Sequence, residues 1–238
     1  MAKNDNLKDF LTDVADAIRE KKGTTDLINP QDFSDEIRTL PSGEEVNTFG
    51  EVMTSDGEGL PGIKHIIVSD GVTSLAQNFL TNASSVISIT IPDSVMSIGN
   101  LAFQSCSSLT TINFPENSKL TSIGYNTFYG CKSLININIP EGVVNIPSNA
   151  FANCTSLINI NIPEGVVNIY ANAFMNCGSL QKFDFSKSTF IPTLDNVNAF
   201  TGTTCKMVVP DALYDEWIVA TNWATYADRI VKSSEYTE

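Results

Sequence analysis

Positive charge is scarce in this chain. Lysine and arginine number 14 against 27 aspartates and glutamates, a formal net charge of −13. Nucleic acid and anionic membrane surfaces demand cations, so neither is expected as a main partner. Long apolar runs are also missing: none approaches the roughly 18 residues of a spanning helix, so no membrane insertion is expected. The N-terminal stretch MAKNDNLKDFLTDVADAIREKK has no apolar signal core, being interrupted by Asp5, Asp9, Asp13 and Asp16. Sec-type export of the chain as written is therefore not expected. Histidine occurs once, at His65. No G-x-S-x-G, H-E-x-x-H or phosphate-cradling glycine loop is present. The five cysteines include no C-x-x-C pair, so no metal and no cofactor are expected. Carboxylates are spread evenly and build no singular pocket. An enzyme, such as a glycan hydrolase, would have to place its site near Asp184, Asp195 and Asp211, where the pattern becomes irregular.

What the chain has in abundance is repetition. LININIPEGVVNI stands at residues 134–146 and again, unchanged, at 157–169. Related stretches begin at Ile87, Thr111, Ile137 and Ile160, with a degenerate first copy at His65 and a degenerate last one from Phe183 to Pro210. The shared pattern is I-x-I-P-x-x-V-x-x-I-x-x-x-[AT]-F-x-x-C-x-x-L-x-x-I. Following the phenylalanine gives Phe79, Phe103, Phe128, Phe151, Phe174 and Phe200. A period near 23 residues with fixed apolar positions signals a stacked solenoid, because one coil cannot bury its own apolar edges. I-x-I alternates as a strand does, V-x-x-I suits a second short strand, and A-F-x-x-C-x-x-L suits a tight, partly helical corner. Proline after I-x-I ends the strand.

This pattern resembles the BspA-like class of leucine-rich repeats over residues 65–210. The resemblance implies a repeat solenoid of the leucine-rich type, β-rich with short helical corners, and a binding protein in place of a catalyst. The tail VPDALYDEWIVATNWATYADRIV is similar to the C-terminal helical cap of that class, assigned to residues 211–238.

Residues 1–43 fall outside the repeat. Leu7, Phe10, Leu11, Val14, Ala15 and Ile18 form one helical stripe. Asn6 suits its start, and Gly23 its stop. Asn29-Pro30 opens a second helix carrying Phe33, Ile37 and Leu40, which gives a helical hairpin. The stretch NLKDFLTDVADAIREKKGTTDLINPQDFSDEIRTLPSG resembles a module at the start of phage and prophage tail-associated proteins. That resemblance implies particle attachment; the alternative is a cap over the first coil. Residues 44–64 read as a linker or lead-in.

Two exposed ladders follow from the repeat. Residues flanking the inward isoleucine of each strand form a polar face, with Asn113, Asn136, Asn138, Asn159, Asn161 and Asp184 as the candidate binding residues. Amides offer both donors and acceptors, which suits a glycan or a polar protein surface; alternatively the amides bond one another along the stack. A second ladder, Asp70, Asp93, Glu116, Glu141 and Glu164, repels itself unless its side chains splay or bind a cation. The cysteines at 106, 131, 154 and 177 share one phase and read as buried free thiols, with Cys205 at the same position in the last coil.

Together these readings give a non-enzymatic virion protein of a bacteriophage or prophage. It would be held through residues 1–43 to other virion proteins as a homo-oligomer, displaying the solenoid to a host-surface protein or glycan. The alternative is a bacterial surface adhesin or interaction module outside any virion, at the cell surface or in the cytoplasm.

Overall fold

The structure is a computed structural model, and it describes residues 64–237. The hairpin read over residues 1–43, and all but the last residue of the lead-in, lie outside the described residues.

Each coil carries two short parallel strands. The first series is β1 (His65–Ile67), β3 (Ser88–Thr90), β5 (Thr111–Asn113), β7 (Asn136–Asn138), β9 (Asn159–Asn161), β11 (Lys182–Asp184) and β13 (Lys206–Val209). The second is β2 (Ser74–Leu75), β4 (Ser97–Ile98), β6 (Ser122–Ile123), β8 (Asn145–Ile146), β10 (Asn168–Ile169) and β12 (Thr193–Leu194). Equivalent residues pair in register, as in Ile89 with Ile112 and Ile137 with Ile160. Only the middle residue of each three-residue strand turns inward, the one-in, two-out burial expected of period-two alternation. After the strand, the carbonyls of Pro92, Pro140 and Pro163 accept the N–H groups of Val95, Val143 and Val166, closing the turn to the second strand.

The corners are chains of single turns and carry no continuous helix. Phe151 O, for example, accepts the Cys154 N–H at 3.1 Å. Helical propagation is stopped on either side of the phenylalanine by residues with positive φ: Asn126 and Gly130, Asn149 and Asn153, Asn172 and Asn176. Asparagine and glycine tolerate that region at low cost, so N-x-F-x-N is the backbone signature of the corner.

The inner residues stack coil on coil. Phe103, Phe128, Phe151, Phe174 and Phe200 lie in one column, with centroids 5.1–5.4 Å apart and nearly parallel rings. The first coil departs from the sequence reading. Its corner donates from Leu80 N–H to Ala102 O, as Phe103 N–H donates to Thr127 O, so Leu80 and not Phe79 heads the column. Phe79 meets Phe103 edge-on at 6.1 Å.

All five cysteines are free and buried. Four thiols donate to the carbonyl one coil earlier: Cys106 to Leu80 (3.0 Å), and Cys131, Cys154 and Cys177 to Phe103, Phe128 and Phe151 (3.1 Å each). The buried thiols are therefore also cross-coil staples. Cys205 does not share this phase: Thr203 follows Phe200 by three residues, and Cys205 comes two later, beside Thr203 Oγ1 at 3.8 Å.

The ladder is interrupted once. Coil three carries two extra residues, so β5 and β7 are not paired, and neither are β6 and β8. Ile91 N–H reaches Asn113 O (2.9 Å) and Ile139 N–H reaches Asn161 O (3.1 Å), but no matching bond runs from Phe114 among the described residues. The corner continues across the junction, with Phe128 N–H on Ala150 O at 2.8 Å. Gly142 lies beneath the inserted loop, where a Cβ would come within 2.5 Å of Leu120 O.

The far end is closed by the segment expected to cap it. Short helical turns at Asp211–Leu213, Tyr214–Trp217 and Trp223–Arg229 place Trp217, Trp223 and Tyr226 against Phe185 and Phe200. Trp223 Nε1 donates to Pro192 O (2.7 Å), and the Tyr226 hydroxyl donates to Val197 O. The chain then adds one more strand, β14 (Ile230–Lys232), parallel to β13. The cap is thus helical and also extends the sheet.

Candidate binding face

The strand face is where the sequence places it. Asn113, Asn136, Asn138, Asn159 and Asn161 are exposed on β5, β7 and β9. Their chemistry differs. Asn159 Nδ2 donates to Asn136 Oδ1 at 3.1 Å, so this pair partly satisfies itself along the stack. No protein group holds the side chains of Asn113, Asn138 and Asn161 among the described residues. Asp184 is half-buried and committed: it accepts the Ser186 N–H (2.9 Å) and pairs with Lys182 (3.4 Å). Burial pushes its carboxyl up, but the Ser186 hydrogen bonds and Lys182 outweigh that and hold it below its usual range. The face therefore brings five amides together and leaves Asp184 at its margin as a structural group.

Self-satisfied amide pairs recur elsewhere. Asn168 donates to Asn145 (2.7 Å) on the second sheet, and Asn176 to Asn153 (2.9 Å) at the corner. The acidic ladder is relieved at one step by the inserted loop, where Asn117 and Lys119 reach Asp93 at 3.1 and 3.6 Å. No cluster of three or more histidine, cysteine, aspartate or glutamate side chains is poised to hold a metal among the described residues. Asp211, named above as a possible enzymatic carboxylate, accepts from Ser233 Oγ, Ser234 N–H and Ser234 Oγ, and so ties down the turn after β14.

The sequence reading missed a neighbouring feature. Beside the strand face runs an open groove of about 450 Å³, lined by Thr110, Ser133, Ile135, Ser156, Ile158 and Ser179. Its serines belong to a ladder present in five coils, Ser85, Ser108, Ser133, Ser156 and Ser179, each just before a buried valine or leucine. The signal was visible as C-x-S-L, with serine standing where the repeat pattern was left open. Unlike the paired amides, the hydroxyls of Ser133, Ser156 and Ser179 have no protein partner among the described residues.

A stack of coils with one short parallel strand per turn on one face defines a leucine-rich repeat solenoid. The chain belongs to the BspA type leucine rich repeat family, whose model matches six copies over residues 60–206. No curated protein matches it. Among solved structures it is similar to a leucine-rich repeat protein from Eubacterium ventriosum, with 22% identity and a TM-score of 0.49, covering 59% of this chain and 43% of that one. It is also similar to one from Bacteroides ovatus, with 25% identity and a TM-score of 0.41, covering 63% and 52%. A leucine rich cell surface protein from Faecalibacterium prausnitzii has 23% identity and a TM-score of 0.41, covering 74% and 49%. The chain spans about half the length of these proteins.

Proposed function

We propose that this protein is a non-enzymatic binding module displayed at a bacterial surface, taking its partner on the strand face of the solenoid. The observation that carries the reading is the pair of unheld amides at Asn138 and Asn161, fixed in register on one sheet whose core does not depend on them, with the unheld Asn113 on β5 across the break. A repeat scaffold presents such groups over an extended surface at little ordering cost. Changing Asn136, Asn138, Asn159 and Asn161 together to alanine leaves Ile137, Ile139, Ile160 and Ile162 buried, so the fold survives. Each lost hydrogen bond weakens binding by about 0.5–1.5 kcal/mol. Host-cell binding by the wild type and the quadruple variant, both checked by circular dichroism, tests this. Undiminished binding by a folded variant removes the strand face from the function.

A second reading places the same module on a phage or prophage particle. It is carried by the tail-associated resemblance of residues 1–43, which would make them the contact with other virion proteins and the solenoid a homo-oligomeric display. Purified particles that contain the chain, and lose it when residues 1–43 are deleted, support it. Particles without the chain rule it out.

A further inference from the structure

We infer that the groove beside the strand face binds an uncharged linear glycan laid along the solenoid axis, about one sugar ring per coil. The inference rests on the proposed role as a binding module and names the ligand class and its seat.

Three observations converge on it. First, none of the six residues lining the groove is ionisable, in a chain of net charge −13 whose acids lie on other phases. A charged polymer would find no counter-charge among these six side chains. Second, the groove alternates two chemistries at one interval. Ile135 and Ile158 form an accessible apolar shelf, and Ile135 is 41% exposed. Ser133, Ser156 and Ser179 supply one hydroxyl per coil, none of them spent on a protein partner. Pyranose rings present the same pair of chemistries, a C–H face and a rim of hydroxyls. Third, the interval separates a glycan from a peptide. Coils repeat at the parallel strand spacing of about 4.8 Å, whereas an extended peptide repeats its side chains every ~6.7 Å and would lose register within a few coils. The backbone groups of β9 are already paired on both sides, with β7 and β11, so a peptide would gain no ladder bonds there. A ring of an extended sugar chain is close to one coil in length, so the two central rings each meet an isoleucine and a serine, and the outer rings meet Thr110 at one end and Ser179 at the other.

The groove is open, so the ligand is a chain passing through it and not an enclosed small molecule. Affinity should therefore grow with each ring until about four coils are spanned, then level off.

The test uses the full chain with soluble linear β-glucan, β-mannan and β-xylan and a ladder of oligosaccharides from each, by isothermal calorimetry. At least one series should bind with that length dependence. The triple variant Ser133→Ala, Ser156→Ala and Ser179→Ala should bind roughly tenfold or more weakly. The pair Asn145→Ala and Asn168→Ala on the second sheet should match wild type. A folded triple variant with undiminished affinity overturns the inference, as does affinity that ignores chain length. If the strand-face quadruple loses the glycan while the serine triple keeps it, the seat is the strand face and the groove is wrong. If no glycan binds but the wild type still adheres to host cells, the inference falls and the proposed function stands; absence of any adhesion removes both.

Discussion

Leu101 occupies a backbone position suited to asparagine. Its φ is +61°, and the corresponding corners carry Asn126, Asn149 and Asn172. A left-handed conformation costs an ordinary L-residue about 1–2 kcal/mol, and asparagine relieves part of that. Leu101→Asn is therefore expected to stabilise the protein by about 1 kcal/mol, read as a higher urea midpoint with an unchanged slope. The thiols set a second residue-scale expectation. Burial pushes Cys106 and Cys177 up to about 12 from a usual 9.0, and raises Cys131 and Cys154 well above it. Between these values the unfolded chain has lost protons that the folded chain keeps. Stability from the thiols is whole below pH 9 and is lost as pH rises toward 12. Urea midpoints should fall across that window, and fall less in Cys106→Ala and Cys177→Ala.

At the scale of the element, the inserted loop of coil three decides how the two sheets run. Removing Asn117 and Ser118 returns that coil to the 23-residue spacing of its neighbours. The deletion is expected to join β5 to β7 and to slow amide exchange at Phe114, even though Asn117 no longer reaches Asp93. Exchange at Phe114 as fast as in the wild type would show that something other than loop length breaks the ladder. The strands themselves were legible because I-x-I has a period of two that no other element shares, and the outward pairs, such as Asn136 with Asn138, fell where they were read. Following the aromatic points to Phe79, whereas the hydrogen-bond register belongs to Leu80. The corners read as partly helical because their apolar spacing fits a helix; the positive φ of Asn149 and Asn153 is a backbone property that spacing does not encode. The serine groove was hidden because its walls come from different coils.

For the whole molecule, the end of the stack matters as much as its middle. Phe200 would present a ring to water if Trp223 and Tyr226 did not cover it. Trp223→Phe keeps most of that cover but strips the Pro192 carbonyl of its donor, at a cost of about 1–3 kcal/mol. Trp223→Ala adds the loss of a large buried ring, typically about 3–5 kcal/mol. Thermal melts of the two variants should fall in that order. Equal melting temperatures would mean that the cap contributes nothing to the coils beneath it.

A solenoid that gripped one surface while anchored to another, as proposed, would be pulled. In a stack of parallel strands, tension along the axis loads the junctions between coils in series, and the weakest yields first. That junction lies between coils three and four, where both ladders lapse and the load falls on the corner bonds, the Ile135 N–H bond to Thr110 O, the Cys154 thiol staple to Phe128 O and the Phe128–Phe151 contact. Under rising force the solenoid would part there into two blocks before either block uncoiled. The part beyond the junction, with the regular coils and the closing tryptophans, would keep its shape and its hold after the first rupture.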